Sequence, residues 1–158
     1  MRHMLLAIAA LTVTAAASAQ DAQVPYPSGY RNWEHVKSMV INPGHPLYDA
    51  FGGIHHIYAN NKAVDGYRTG RFPIGSIIVM DVLEGAAADN ALVEGRRKVL
   101  AVMMKDPSRY DTTGGWGFET FTGGNRAART AGANAKAACF ECHATREKAD
   151  YVFSRRRS

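Results

Sequence analysis

Branched and aromatic hydrophobic residues are grouped in four short runs along the chain, and within these runs they alternate with other positions in the manner of β-strands. The runs are residues 54–60 (IHHIYAN), 76–83 (SIIVMDVL), 98–104 (KVLAVMM) and 116–121 (WGFETF). Strand-breaking residues lie between them, at residues 72–75 (FPIG), Gly85, residues 106–107 (DP) and residues 114–115 (GG). Because most of these connections are too short for repeated helical crossovers, the pattern predicts an antiparallel sheet.

Three other segments are typical of helices. Residues 28–39 begin with a serine that can cap a helix, residues 61–68 can form a short helix, and residues 127–143 are rich in alanine. The chain therefore predicts an α+β fold, which is mainly antiparallel β-sheet with a few peripheral helices and one helix near the C-terminus. No internal repeat or linker interrupts it, which favours one domain.

The N-terminus has the pattern of an export signal. Arg2 and His3 precede a run of apolar and small residues, and residues 17–19 (ASA) suit cleavage near Ala19. The apolar run is shorter than the roughly 20 residues that span a bilayer, so no membrane span is expected. We expect a signal peptide at residues 1–19, a periplasmic protein, and a single domain at residues 20–158 that ends in a basic tail, residues 154–158.

Charge argues against nucleic acid as a partner. The chain has 19 Lys and Arg and 14 Asp and Glu, for a net charge of +5. Four of the basic residues lie in the leader or the tail, namely Arg2, Arg155, Arg156 and Arg157. The folded body is thus nearly neutral and lacks the basic surface that phosphate binding requires.

The two cysteines of the chain, Cys139 and Cys142, occur in the sequence CFECH, residues 139–143. CxxCH is the attachment pattern of c-type haem, in which two thiols bond to one porphyrin and the histidine is the proximal iron ligand. The motif predicts one covalent haem c, bound by Cys139, Cys142 and His143, with His143 on the iron. An exported disulfide and a thioredoxin-like redox pair stay open as alternatives, although the βαβ pattern of the latter is missing.

Several further motifs occur in order along the chain. They are YRNW (residues 30–33), Tyr58, TGRFPIG (69–75), KDPSRY (105–110), GW (115–116), the late CFECH and DYVF (150–153). With this order and spacing, the chain from Trp33 to Phe153 resembles the cytochrome P-460 family, which includes the cytochromes c′-beta. The resemblance implies a mostly antiparallel β fold, commonly a homodimer. It also implies a five-coordinate c-type haem whose open distal face binds small molecules such as hydroxylamine or nitric oxide.

Met80 marks a departure from that family. The resemblance implies that members which oxidise hydroxylamine carry a lysine here, bonded to the haem edge. A thioether cannot form that carbon–nitrogen bond, and Lys62 and Lys98 do not match the position. Met80 is therefore expected to contact the haem without a cross-link, which favours ligand binding over oxidation.

Two residues are candidates for distal acid–base chemistry, His55 and Glu119. By the resemblance, His55 lies about where the oxidising relatives place an arginine, three residues before Tyr58. The alternative is that His55 is a core or surface histidine with no role at the haem. With a period of two, His55 and Tyr58 face opposite ways unless a bulge intervenes. Glu119 stands between aromatic residues, which could shift its proton affinity. The favoured interpretation is that Glu119 faces solvent while Phe118 lies in the core.

Three functions follow as hypotheses. The first is a haem protein that binds a small gaseous or nitrogenous ligand behind an apolar distal wall of Met80 with Phe118 or Phe121. The second is an oxidoreductase that oxidises hydroxylamine or nitric oxide and passes electrons to a partner cytochrome. The third is an electron-transfer cytochrome with Met80 as sixth ligand, since His/Met ligation raises the haem potential.

Overall fold

A five-stranded antiparallel sheet forms the centre of the computed structural model, which describes residues 23–157. The strands are β1 (Glu34–Ile41), β2 (Gly53–Ala59), β3 (Ile77–Ala88), β4 (Ala91–Lys105) and β5 (Trp116–Thr122). Each strand pairs with its neighbours in the chain, in the order β1-β2-β3-β4-β5. This confirms the predicted antiparallel sheet and the α+β class. The predicted signal peptide, residues 1–19, lies outside the described residues.

The helix predicted at residues 28–39 was wrong, because most of this segment forms strand β1. Only Tyr30–Asn32 forms a helical turn, of the 3₁₀ type, and the chain then enters an edge strand that pairs with β2. The register shifts between His35 and Lys37, and only Val36 and Ile41 are buried in the strand. A bulge on an exposed edge strand interrupts the period of two by which a strand is identified, so the hydrophobic pattern of this segment did not indicate a strand.

The β3–β4 hairpin is longer than the sequence predicted. Gly85 was expected to end the strand, yet β3 continues through it to Ala88. The chain reverses at Asp89 and Asn90, whose φ angles of 46° and 63° are those of a two-residue hairpin turn. Aspartate and asparagine tolerate this left-handed backbone better than other non-glycine residues, so they form the turn instead of Gly85.

Helices lie at the edges of the sheet. Helix α1 (Tyr48–Phe51) precedes β2, and helix α2 (Asn61–Thr69) follows it. The Asn60 side chain caps α2 by accepting the Ala63 N–H at 2.9 Å, and Gly70 ends the helix with a φ of 77°. Helix α2 confirms the prediction for residues 61–68.

The C-terminal segment is less helical than residues 127–143 predicted. A 3₁₀ turn (Gly132–Asn134), a π turn (Lys136–Phe140), helix α3 (Glu141–Ala144) and a second 3₁₀ turn (Glu147–Ala149) follow one another. Before them, Arg129 forms an isolated β-bridge with Phe121. Residues 128–130 therefore pair with β5 in the manner of a strand, which replaces the start of the predicted helix.

The sheet has two buried faces. We call one the motif face, because the CFECH segment and α2 pack on it; its members include Ile57, Met80, Met103 and Phe118. The opposite face includes Val79, Leu100, Val102 and Phe121, and residues near the start of the described chain, such as Val24 and Tyr30, cover it. Within residues 23–157, no helix is long and apolar enough to cross a membrane.

Candidate functional site

The CFECH segment spans two kinds of helical turn on the motif face. The π turn ends at Phe140 and α3 begins at Glu141, so the backbone changes its winding within the motif, as is frequent at functional sites. Cys139 is half-buried and Cys142 is exposed, and both thiols are free. Burial, with a smaller contribution from Glu119, raises the pKa of the Cys139 thiol. Neither sulfur atom is in a disulfide, so both are available for covalent attachment.

The His143 ring is held on three sides. It packs against Phe118, with 4.9 Å between ring centroids, and edge-on against Phe153 at 5.0 Å. Its Nδ1 lies 2.7 Å from the Tyr151 carbonyl oxygen. A carbonyl can only accept, so Nδ1 carries the hydrogen and Nε2 holds the lone pair. Burial lowers the pKa of His143, which favours the neutral ring that a metal requires.

The Tyr151 carbonyl is directed at His143 by an unusual turn. Asp150 and Tyr151 both have left-handed backbones, with φ angles of 50° and 65°. Such angles are uncommon for non-glycine residues and persist where surrounding contacts impose them. The Tyr151 N–H donates to the Arg146 carbonyl at 2.9 Å, which closes the turn.

Asp150 supplies the contacts that fix this turn. Its Oδ2 accepts the Phe72 N–H at 2.8 Å, its Oδ1 lies 2.7 Å from Lys105 Nζ, and its carbonyl accepts the Trp116 indole N–H at 2.9 Å. Sequence reasoning did not assign Lys105, Asp150 or the Tyr151 carbonyl to the site. The signals available were that Lys105 and Asp150 lie in the KDPSRY and DYVF motifs and that aspartate is enriched at left-handed positions.

Met80 lies on the motif face, where it pairs across the sheet with Ile57 and Ala101. It is partly buried and packs against the same cluster as Cys139. The expected wall of Met80 with Phe118 or Phe121 requires correction. Phe118 contacts the His143 ring, and Phe121 lies on the opposite face, because residues of a strand alternate between the two faces.

His55 is fully buried, with 0% of its surface exposed, and it lies on the motif face opposite Val82. Its Nε2–H donates to the Phe51 carbonyl, and within residues 23–157 its Nδ1 has no hydrogen-bond partner. Burial lowers the pKa of His55, so the ring is held neutral. Tyr58 faces the other way and packs against Tyr30, as the period of two predicted.

Glu119 corrects the interpretation that it faces solvent, since only 3% of its surface is exposed. Its Oε2 lies 3.1 Å from Arg129 Nη1. Its Oε1 accepts three backbone N–H groups, those of Thr120, Ala131 and Gly132, at 2.9, 3.1 and 3.3 Å. The carboxylate therefore joins β5 to the segment before CFECH, and its role as a distal acid or base stays a prediction.

A family model described as cytochrome P460 matches residues 27–154. The chain belongs to the cytochrome P460 family. This confirms the resemblance found in the sequence, and it makes the chain a haem cytochrome. No curated protein matches the chain.

The donor set on the motif face fits the haem that the family implies. His143 offers an unprotonated Nε2 on a neutral ring whose orientation is fixed by a carbonyl, which is the usual arrangement of a metal-binding histidine. Two free thiols lie in the same short segment, and apolar side chains surround it, among them Phe118, Phe140 and Met80. Cys139 and Cys142 would hold the porphyrin, and His143 would bind its iron.

Proposed function

We propose that this chain is an exported mono-haem c-type cytochrome whose distal side binds small neutral molecules such as nitric oxide. Cys139 and Cys142 attach the haem through thioether bonds, and His143 Nε2 binds the iron. The observation that carries the proposal is the contact between His143 Nδ1 and the Tyr151 carbonyl, 2.7 Å apart, because it leaves Nε2 as the free ligand atom. The export pattern of residues 1–19 supports a periplasmic location.

A bound haem supplies an iron centre that takes up a diatomic ligand or exchanges one electron. The protein's part is to orient one imidazole and to provide an apolar surface. Phe118 and Phe153 restrict the His143 ring. Met80 and its two direct neighbours across the sheet, Ile57 and Ala101, carry no hydrogen-bond donor in their side chains, and the polar residues of this row, Lys37 and Thr120, lie at its two ends. An apolar surface favours neutral ligands, since an anion would lose its hydration without compensation.

Met80 supports binding over oxidation. At this position the family's hydroxylamine-oxidising members are expected to carry a cross-linked lysine, and a methionine side chain has no nitrogen with which to form that bond. The neighbouring residues on β3, Val79 and Asp81, also lack an amine. The haem of this chain is therefore attached through the two cysteines alone.

One observation favours a second candidate function, the oxidation of hydroxylamine or nitric oxide with transfer of electrons to a partner cytochrome. The His55 Nδ1 is unprotonated, buried and without a partner among the described residues, and it lies on the motif face. Such an atom can accept a proton from a substrate that loses electrons nearby. His55→Gln would then slow substrate-driven reduction of the iron while leaving carbon monoxide binding unchanged.

Titration of the reduced protein with carbon monoxide tests the binding function. We expect rapid binding to wild type and to Met80→Ala. Met103→Ala is the matched control, since Met103 lies on the same face one row away, opposite Phe118. Slow binding to wild type that becomes fast only in Met80→Ala would identify Met80 as a sixth ligand and assign the protein to electron transfer. Slow binding to all three would contradict an open distal side.

A further inference from the structure

We propose that Lys105 and Asp150 are positioning residues for the proximal ligand and that their buried ion pair sets the electron-donating strength of His143. The inference rests on the proposed attachment of haem at His143. It goes beyond that proposal because neither residue belongs to the CFECH motif, and Lys105 lies on β4, far from the motif in sequence.

The first step is the backbone of residues 150–151. Two consecutive non-glycine residues in left-handed conformations form a strained turn, and the contacts of Asp150 hold it. A relaxed backbone at either position would rotate the peptide and turn the Tyr151 carbonyl away from His143. The alignment of that carbonyl therefore depends on Asp150.

The second step is the burial of the pair. Asp150 is 5% exposed and Lys105 is 9% exposed, and Oδ1 and Nζ are 2.7 Å apart. Lys105 Nζ also donates to the Gly114 carbonyl at 3.0 Å and lies 5.1 Å from the Trp116 ring centre and 5.9 Å from that of Tyr151. A buried charge that loses its partner is strongly unfavourable, so each residue requires the other.

The third step links this pair to the imidazole. A carbonyl that accepts the Nδ1 hydrogen raises the basicity of the opposite nitrogen, which strengthens its bond to a metal and favours the oxidised state. The direction of a backbone carbonyl is determined by the backbone angles around it. Here the side chains that determine those angles are Asp150, whose carboxylate holds the turn, and Lys105, which pairs with that carboxylate.

Asp150→Asn tests the inference in the haem-loaded protein. Asparagine accepts a left-handed backbone, but its amide has one acceptor oxygen where the carboxylate has two, so the contact with Lys105 or with the Phe72 N–H is lost. We expect the iron–histidine stretching frequency of the ferrous protein to fall. We also expect the reduction potential to rise by roughly a tenfold change in the one-electron equilibrium constant, or about 59 mV.

Asp81→Asn is the matched control, because Asp81 is also a buried aspartate paired with a basic residue, Arg97, but faces the opposite side of the sheet. We expect Asp81→Asn to leave the iron–histidine stretching frequency and the reduction potential at their wild-type values. Equal shifts in the two variants would overturn the inference, since they would reflect general loosening of the fold. No shift in Asp150→Asn, with wild type fully loaded, would overturn it as well.

Lys105 provides an independent pair of variants if Asp150→Asn does not accumulate. Lys105→Gln should lower the stretching frequency, and Lys105→Arg, which keeps a cation beside Asp150, should restore it. A wild-type frequency in Lys105→Gln would overturn the positioning role alone. A wild-type protein without covalent haem, or without an iron–histidine band, would instead overturn the proposed function, and with it this inference.

Discussion

Glu119 and Arg129 form an ion pair, with 3.1 Å between Oε2 and Nη1, that fastens the chain entering the CFECH segment to strand β5. The carboxylate is buried and also binds the N–H groups of Ala131 and Gly132. Phe118, the preceding residue, contacts the His143 ring. Two consecutive residues of β5 thus support the site from opposite faces of the sheet. Glu119 holds the backbone before the motif, and Phe118 packs against the imidazole.

Removal of the Glu119 side chain should mainly destabilise the fold. We expect Glu119→Ala to lower the free energy of unfolding by about 3 kcal/mol, because a partly buried arginine and three backbone N–H groups, of which that of Ala131 is buried, lose their partner. Glu141→Ala is the control, since Glu141 is exposed within the motif, and it should change stability by less than about 0.5 kcal/mol. Urea denaturation measures both values. Equal stability of the two variants would contradict the structural role.

Each cysteine should contribute one thioether bond to the haem. We expect Cys139→Ala and Cys142→Ala to keep one covalent bond each, and the double variant to release all of its haem into acid acetone. Wild type, in which both bonds are present, should release none. Haem that stays with the protein in the double variant would refute covalent attachment through CFECH.

No lysine should be bonded to the porphyrin. Because we propose that Met80 occupies the position at which oxidising relatives carry the cross-link, we expect the intact mass to equal that of the mature chain plus one haem attached at two cysteines. Peptide mapping should find Lys62 and Lys98 unmodified. A ferrous absorption band far to the red of ordinary haem c would count against this prediction.

Burial of His55 should make stability fall in mild acid. Its pKa is lowered in the folded protein, whereas in the unfolded chain it is near 6.5. The unfolded state therefore binds more protons below about pH 6.5, and the contribution of His55 to stability is present above that pH and lost as the pH falls.

His55→Gln tests this contribution, because glutamine keeps an N–H donor for the Phe51 carbonyl but does not titrate. We expect the free energy of unfolding to decrease less between pH 7 and pH 5 in this variant than in wild type. Urea denaturation at the two pH values gives the difference. An unchanged pH dependence would mean that His55 is protonated equally in the folded and unfolded states.

The inner strands could be predicted from sequence because their buried residues recur with a clear pattern. In β3, Ile78, Val79 and Val82 are all buried, and Asp81 is the one polar residue in the run from Ile77 to Leu83. Strand β1 lacks such a run, since only two of its eight residues are buried and its bulge shifts the pattern. The helix predicted for residues 127–131 was wrong for a different reason. Their alanines favour a helix, but pairing with β5 and the contacts with Glu119 determine their backbone conformation.

Some features of the candidate site could likewise be predicted from the sequence, and others could not. CFECH could be identified because its chemistry depends on side chains at fixed spacing. The carbonyl that orients His143 could not, because every residue carries a carbonyl and its direction depends on backbone angles at Asp150 and Tyr151. Period-two alternation separated His55 from Tyr58 correctly, yet it could not reveal that Glu119 is buried, since an acidic residue is usually exposed.

The order of the strands has a consequence for how the protein matures. Every strand pairs only with its neighbours in the chain, so the sheet has low contact order and should assemble quickly. The last strand, β5, ends at Thr122, so all five strands precede Cys139 in the chain. The five strands can therefore pair before the CFECH segment packs on the motif face. We therefore expect the sheet to form first and the CFECH segment to dock late, on a preassembled scaffold.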